Sequence, residues 1–168
     1  HSLTMSMIGA ALLWVGWFGF NVGSNLEANA FAGVPLINTF VATAAAALGW
    51  IIVEWIAKGK PSLLGLVSGV VAGLVAITPA CGFAGPMGSI ALGFGASVMC
   101  FIFCSGIKGA LGYDDSLDVF GIHAIGGIIG ALATGILVNP ELGGAGIPDY
   151  ISVPGTLQVG AYDMMFQL

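Results

Sequence analysis

The chain has 168 residues, 58% of them hydrophobic and 7% charged, with three Lys, no Arg, eight acidic residues and a formal net charge of −5. Water-soluble domains carry roughly 25% charged residues, so the composition excludes a soluble domain and reads as an integral membrane protein. It excludes a basic nucleic-acid surface as well, and the acidic balance identifies no partner, because most of the surface meets lipid or other protein.

His1 opens the chain almost inside an apolar stretch, Phe166-Gln167-Leu168 closes it without a polar tail, and no basic n-region or cleavage site marks a signal peptide. The expectation is a segment of a longer protein. A spanning helix needs roughly 20 mostly apolar residues, and five such helices are predicted in chain order. Helix A covers Leu3–Asn21 and ends in LLWVGWFGFNVGS. Trp14, Trp17, Phe18 and Phe20 crowd its second half, with Asn21 and Ser24 just beyond. Aromatic faces and side-chain oxygens can hold a small cation by cation–π attraction and hydrogen bonds; an interfacial belt at a helix end is an equal reading of the same residues.

Helix B covers Pro35–Ala57, after the turn-rich GSNLEANAFAGVP. Trp50 and Trp55 near its end fit an aromatic belt. Helix C covers Ser62–Ala80 after KGKPS, with Pro61 near the first turn, where a missing N–H does least harm. Gly65, Gly69 and Gly73 form a tandem small-residue ridge on it. It ends in AITPACG, where Pro79 removes a backbone donor. Carbonyls freed there are tolerable only where protein or a cavity receives them, and Thr78 is a candidate to line that cavity.

Helix D covers Met87–Ile107. Its Cys100 and Cys104 share one face. With no His or acid at ligand spacing, they and Cys81 read as small buried hydrophobes and not as a metal site. Helix E covers Ser116–Val138. Acids near its start, Asp114, Asp115 and Asp118, suit the positive end of a helix, with Asp115 and Asp118 as structural caps. Gly126 and Gly130 repeat the small-residue ridge, so helices C and E are expected to face protein. The Gly- and Pro-rich NPELGGAGIPDYISVPG that follows reads as a structured loop, and Thr156–Leu168 as a candidate approach to a sixth helix.

Five crossings put Lys58, Lys60 and Lys108 on one side, while the other loops carry Glu27, Glu141 and Asp149 but no Lys. The positive-inside rule makes the lysine side, and with it His1, cytoplasmic. His123 lies five residues beyond Asp118, roughly 8–12 Å into helix E. Ionisable groups inside spans face a cavity, a pathway or a partner. A neutral imidazole offers one donor and one acceptor, so it can pass a proton or hold a small polar solute. An imidazole satisfied by a neighbouring helix is the plainer alternative. There is no Ser/His/Asp set, phosphate loop or HExxH, so no enzyme is expected, and no cofactor or metal.

GWFGFNVGS, NTFVATAAAALGW, KGKPSLLG, AGLVAITPACG and DVFGIHAIGGIIG resemble, in order and spacing, the second half of the ammonium transporter family (Amt/Mep, with Rh proteins as distant relatives) over Trp14 to Gly135. The resemblance implies an all-α polytopic bundle. Residues 1–168 would be the second five-helix inverted repeat of an eleven-helix fold, helices six to ten and the approach to the eleventh, without the N-terminal repeat and C-terminal tail. It implies an outer NH4+ site at Trp17 and Ser24, a gate at Phe20, and a pore lined by His123, Val119 and Leu13, with Thr78 near its inner part. It also implies ammonium or ammonia as the substrate, methylammonium as an analogue, a homotrimer in the plasma or inner membrane, and a PII-type regulatory partner on the cytoplasmic face. Trp17 and Ser24 together place the chain nearer Amt/Mep than Rh. An Amt-like sensor fused to a signalling domain and an Rh-type gas channel are the competing functions.

Overall fold

The structure, a computed structural model, describes residues 2–138 and the backbone of two short strands, Ile147–Asp149 and Thr156–Gln158. It is built from helices α1 (Leu3–Asn21), α2 (Gly33–Lys58), α3 (Leu63–Ile77), α4 (Pro86–Phe101), α5 (Lys108–Leu111) and α6 (Ile125–Leu137). A π-helical stretch, Ile102–Ile107, joins α4 to α5, and another, Phe120–Ala124, leads into α6. The ends follow local chemistry. Ser62 accepts a hydrogen bond from Gly65 N at 2.9 Å at the start of α3, Pro86 begins α4, and Gly59 closes α2 in the left-handed conformation at φ 77°.

Among the described residues, four helical stretches are long and apolar enough to cross a membrane: 3–25, 30–58, 86–111 and 120–137. The expected fifth, helix C, is shorter, because α3 stops at Ile77 and the chain turns through Thr78–Phe83 around Pro79. Its position explains why a short helix suffices: α3 packs against α1, α2, α4 and α6, and ten of its residues are buried. Helix D runs on past Ile107 to Leu111. Helix E starts later than expected, since Asp118 sits in the left-handed region at φ 55°, outside the helix. Thr156–Gln158, expected on the approach to a sixth helix, is instead a strand paired antiparallel with Ile147–Asp149; the rest of that stretch lies outside the described residues.

Small residues set the helix spacing. A Cβ at Gly73 would lie 2.9 Å from Thr43 Cα, and one at Gly69 would lie 2.9 Å from Ala46 O. Carbonyls of Ala42 and Ala76 fill the places where Cβ atoms of Gly93 and Gly130 would be. The α3 ridge therefore seats on α2, and Gly130 brings α6 against the end of α3. The core lies among α2, α3 and α4, with Ala42, Ala76, Ile77 and Ala96 almost wholly buried. Of the two ridged helices, α3 is the more enclosed, exposing only Leu63 and Leu64 at its start, whereas α6 leaves Ile128, Leu132 and Ile136 exposed along its length.

Trp50 departs from the belt expectation. It is buried, edge-on to Phe101 at 5.6 Å between centroids, whereas Trp55 is exposed. The tight glycine contacts of α3 draw α2 inward at this level and enclose the indole.

Candidate functional site

At the end of the bundle where α1 finishes, several residues singled out in the sequence meet. Trp17 Nε1 donates to Thr78 Oγ1 at 2.7 Å, and the Thr78 hydroxyl in turn donates to Leu74 O at 2.7 Å. This chain of bonds fixes the indole plane. Phe20 stands 6.1 Å from Trp17 in an edge-to-face arrangement and is itself exposed. Ser24 Oγ donates to Phe20 O at 2.7 Å. With its proton committed, the Ser24 oxygen retains lone pairs that can accept. A pocket of about 250 Å³ opens here, lined among others by Asn21, Ser24, Phe31, Thr78, Cys81 and Phe83. Burial pushes the Cys81 thiol up to about 11, which keeps it protonated and neutral.

Thr78 is thus placed differently from the expectation of an inner pore residue. α1 and α3 run the same way, so the end of α3 lies level with the end of α1, and Thr78 bonds Trp17. His123 belongs to the first turn of the span 120–137, next to Ile122, which packs with Trp50, Ala72 and Cys100 within the bundle. Leu13 lies one turn before Trp17 on the same face of α1 and is about half exposed.

His123 sits on the π-helical turn Phe120–Ala124, a conformation that recurs at functional positions. Its side chain and that of Val119 are exposed. Ile125 N donates to Phe120 O, the i→i−5 bond that defines the turn, and shares its proton with Ile122 O. Asp115 supports the start of the helix: its carboxylate accepts from Phe120 N and Gly121 N, each at 3.2 Å. Desolvation pushes the Asp115 carboxyl up, but the N–H groups of Gly121, Phe120 and Val119 and the charge on Lys108 outweigh it and hold it below the ordinary value. Asp118 caps nothing with its side chain. Its carboxylate takes Lys108 Nζ at 2.8 Å, because the left-handed backbone turns it away from the helix, while its carbonyl accepts from Ile122 N.

Buried polar residues that the sequence reading passed over hold these two ends. Asn38, fully buried on α2, donates to Cys81 O at 2.8 Å and Ala84 O at 2.7 Å, which ties down the turn after α3. Asn21 Nδ2 donates to Thr39 Oγ1 at 2.9 Å. At the lysine-bearing end Glu54 is buried and accepts from Ser62 N at 3.0 Å, from Ser62 Oγ, and from Lys58 Nζ at 3.3 Å. An acid within a span is a signal that the sequence does carry. Asn38 offered no such signal, since its role depends on a turn more than 40 residues away.

Comparison with known proteins fits this architecture. The family model described as Ammonium Transporter Family matches residues 1–168. An ammonium transporter of Aquifex aeolicus is 51% identical over 86% of this chain and 34% of that protein. The crystal structure of Saccharomyces cerevisiae Mep2 superposes with a TM-score of 0.81 at 36% identity, over 96% of this chain and 37% of that one. A solved structure titled Sensor Amt Protein superposes with a TM-score of 0.80 at 30% identity, over 84% of this chain and 35% of that one. The chain therefore spans about a third of the length of these relatives. On the whole-chain match of the family model, and on the relatives' identity and shared fold, the chain belongs to the ammonium transporter family.

Proposed function

We propose that the chain supplies one side of a path by which ammonium crosses a membrane as ammonia. The observation that carries this reading is His123, a polar side chain left exposed on a π-helical turn within an apolar span of an ammonium transporter family member. Exposed to lipid it would be costly; facing a narrow pore it has a task.

In this reading the Trp17 face and the Ser24 oxygen receive NH4+ at the end where α1 finishes. The indole is held by Thr78, so it can offer its π-face to the cation. Carrying the bare ion through an apolar passage would cost several kcal/mol or more, on the order of a buried unpaired charge. Loss of one proton gives NH3, which crosses the dry stretch past Phe20, Leu13, Val119 and His123. The imidazole acceptor and donor replace hydrogen bonds the solute leaves behind. Several features complete the proposal: a homotrimer, a plasma or inner membrane location, a cytoplasmic lysine-bearing face and a PII-type partner on it. So does the placement of residues 1–168 as the second of two inverted repeats.

The test is ammonium-evoked current, with methylammonium as the analogue, in proteoliposomes carrying the full-length protein. A saturating current whose half-saturation rises in Ser24→Ala and Trp17→Ala, and whose size or selectivity changes in His123→Ala, is expected. Unchanged flux and selectivity in His123→Ala would remove the role given to it. A second reading, ammonium sensing with little flux, is favoured by the likeness to the structure titled Sensor Amt Protein; ammonium binding without flux would select it.

A further inference from the structure

The two thiols of α4 and its π-helical extension meet the histidine-bearing turn in a way that hydrophobic filling does not require. Cys100 is fully buried, and its S–H donates to Ile122 O at 3.8 Å. Ile122 O is the carbonyl that shares the Ile125 N–H with Phe120 O at the π register. One residue earlier, Gly121 presents no side chain, and Cys104 Sγ occupies the place a Cβ would take, with Cys104 N and Cα behind it at 3.4 and 3.5 Å from that position. Cys104 lies within the other π-helical stretch, Ile102–Ile107, so two π-helical segments pack against each other at this crossing.

The register matters for the imidazole. An α-helix advances 3.6 residues per turn. Tightening the wide turn by one residue would rotate everything before it by roughly 100° about the axis of α6. His123 would then point elsewhere while the rest of the helix stayed in place. A π turn competes with the ordinary i→i−4 ladder and persists only where its surroundings hold it. Here a thiol adds a second donor to the Ile122 carbonyl, and a second thiol is seated where only glycine leaves room.

We propose that Cys100 and Cys104 are positioning residues for His123: together with Gly121 they hold the turn Phe120–Ala124 in its π register and so set the direction of the imidazole. The consequence for transport rests on the reading given above; the geometric claim does not.

Both parts are tested on the full-length protein in two measurements, a cryo-EM map and the ammonium-evoked current. Cys100→Ala should convert the turn towards the α register and displace His123 in the map. It should also lower the maximal current roughly tenfold, as expected for a misplaced group, with half-saturation unchanged because Trp17 and Ser24 are untouched. Cys100→Ser, which keeps a donor for Ile122 O, should restore both. A Cys100→Ala map with the π turn and His123 in place would overturn the proposal, as would equal impairment in the Ser and Ala variants. Should Cys100→Ala fail to fold, the crossing itself is tested: Gly121→Ala should impair current, and Cys104→Ala in the same chain should relieve it. Absence of relief would overturn the proposal. Absence of current in the unsubstituted protein would strike the transport reading alone, since the map still reports the register.

Discussion

α1 and α2 are both apolar and of membrane-spanning length, yet they use that character in opposite ways. Of the best spanning window in each, 6% is buried for α1 and 50% for α2. Helix α1 buries only Ala10 and Asn21 and exposes Leu12, Leu13, Val15 and Phe20. Helix α2 buries Asn38, Thr39, Thr43 and Glu54 beside its alanines. Hydropathy does not separate the two. Small residues alone do not either, since Gly9, Gly16 and Gly19 of α1 leave open space; the run of polar residues on α2 that find partners inside protein does. In lipid there is little hydrophobic drive between helices, so close packing and satisfied hydrogen bonds decide which helices become the core.

That comparison is open to direct attack by substitution, and the largest effect belongs to Gly130→Val. The Ala76 carbonyl that fills the Cβ position cannot swing aside as a side chain could. The expected outcome is loss of monodisperse full-length protein on size-exclusion chromatography in detergent. Recovery of a normal peak would show that the α3–α6 crossing is looser than described.

Next is Asn38→Ala, which leaves the carbonyls of Cys81 and Ala84 without their donor. Each orphaned buried group costs about 1–3 kcal/mol, so a marked fall in thermal midpoint is expected, with higher half-saturation because the turn carrying Cys81 lines the Ser24 pocket. A smaller change is expected for Trp17→Phe. It removes the bond to Thr78, worth about 1 kcal/mol net, and should weaken ammonium binding while leaving the fold intact; ammonium titration of the current measures it.

Asp115 gives a pH prediction. Its carboxyl is held below the ordinary value of 3.8, so its contribution to stability is complete above that value. It is lost as pH falls through the lower folded-state value. Amide exchange at Phe120 and Gly121 should therefore accelerate only below about pH 4, and Asp115→Asn should flatten the dependence.

The smallest effect contrasts two glycines on one helix. Gly93 abuts the Ala42 carbonyl, whereas Gly95 has nothing within 4 Å of a Cβ and is exposed. Gly95→Ala should be neutral or stabilise α4 by about 0.5–1 kcal/mol, while Gly93→Ala destabilises. Equal thermal midpoints for the two variants would contradict the packing described for α2 and α4.

Much of this was legible in the chain itself. Long apolar stretches between Gly- and Pro-rich breaks located the spans, and the ordered motifs around Trp17, Thr78 and His123 pointed to the family. The ridge Gly65–Gly69–Gly73 announced close packing, because a missing Cβ is a local property. What sequence spacing could not supply was which long-range partner each group finds. Thr78 pairs with Trp17 from 61 residues away, and that contact, a consequence of α1 and α3 running in parallel, sets it level with the end of α1. Trp50 left the interface because α3 draws α2 inward. Asp115 and Asp118 read alike as caps, but a left-handed backbone at Asp118 sent one to the helix start and the other to Lys108. Composition and local pattern determined that this protein spans a membrane and which residues are polar within it. Only the tertiary structure decided their direction, since a helix of fixed period still needs its neighbours to set its rotation, its register and the depth at which each side chain lies.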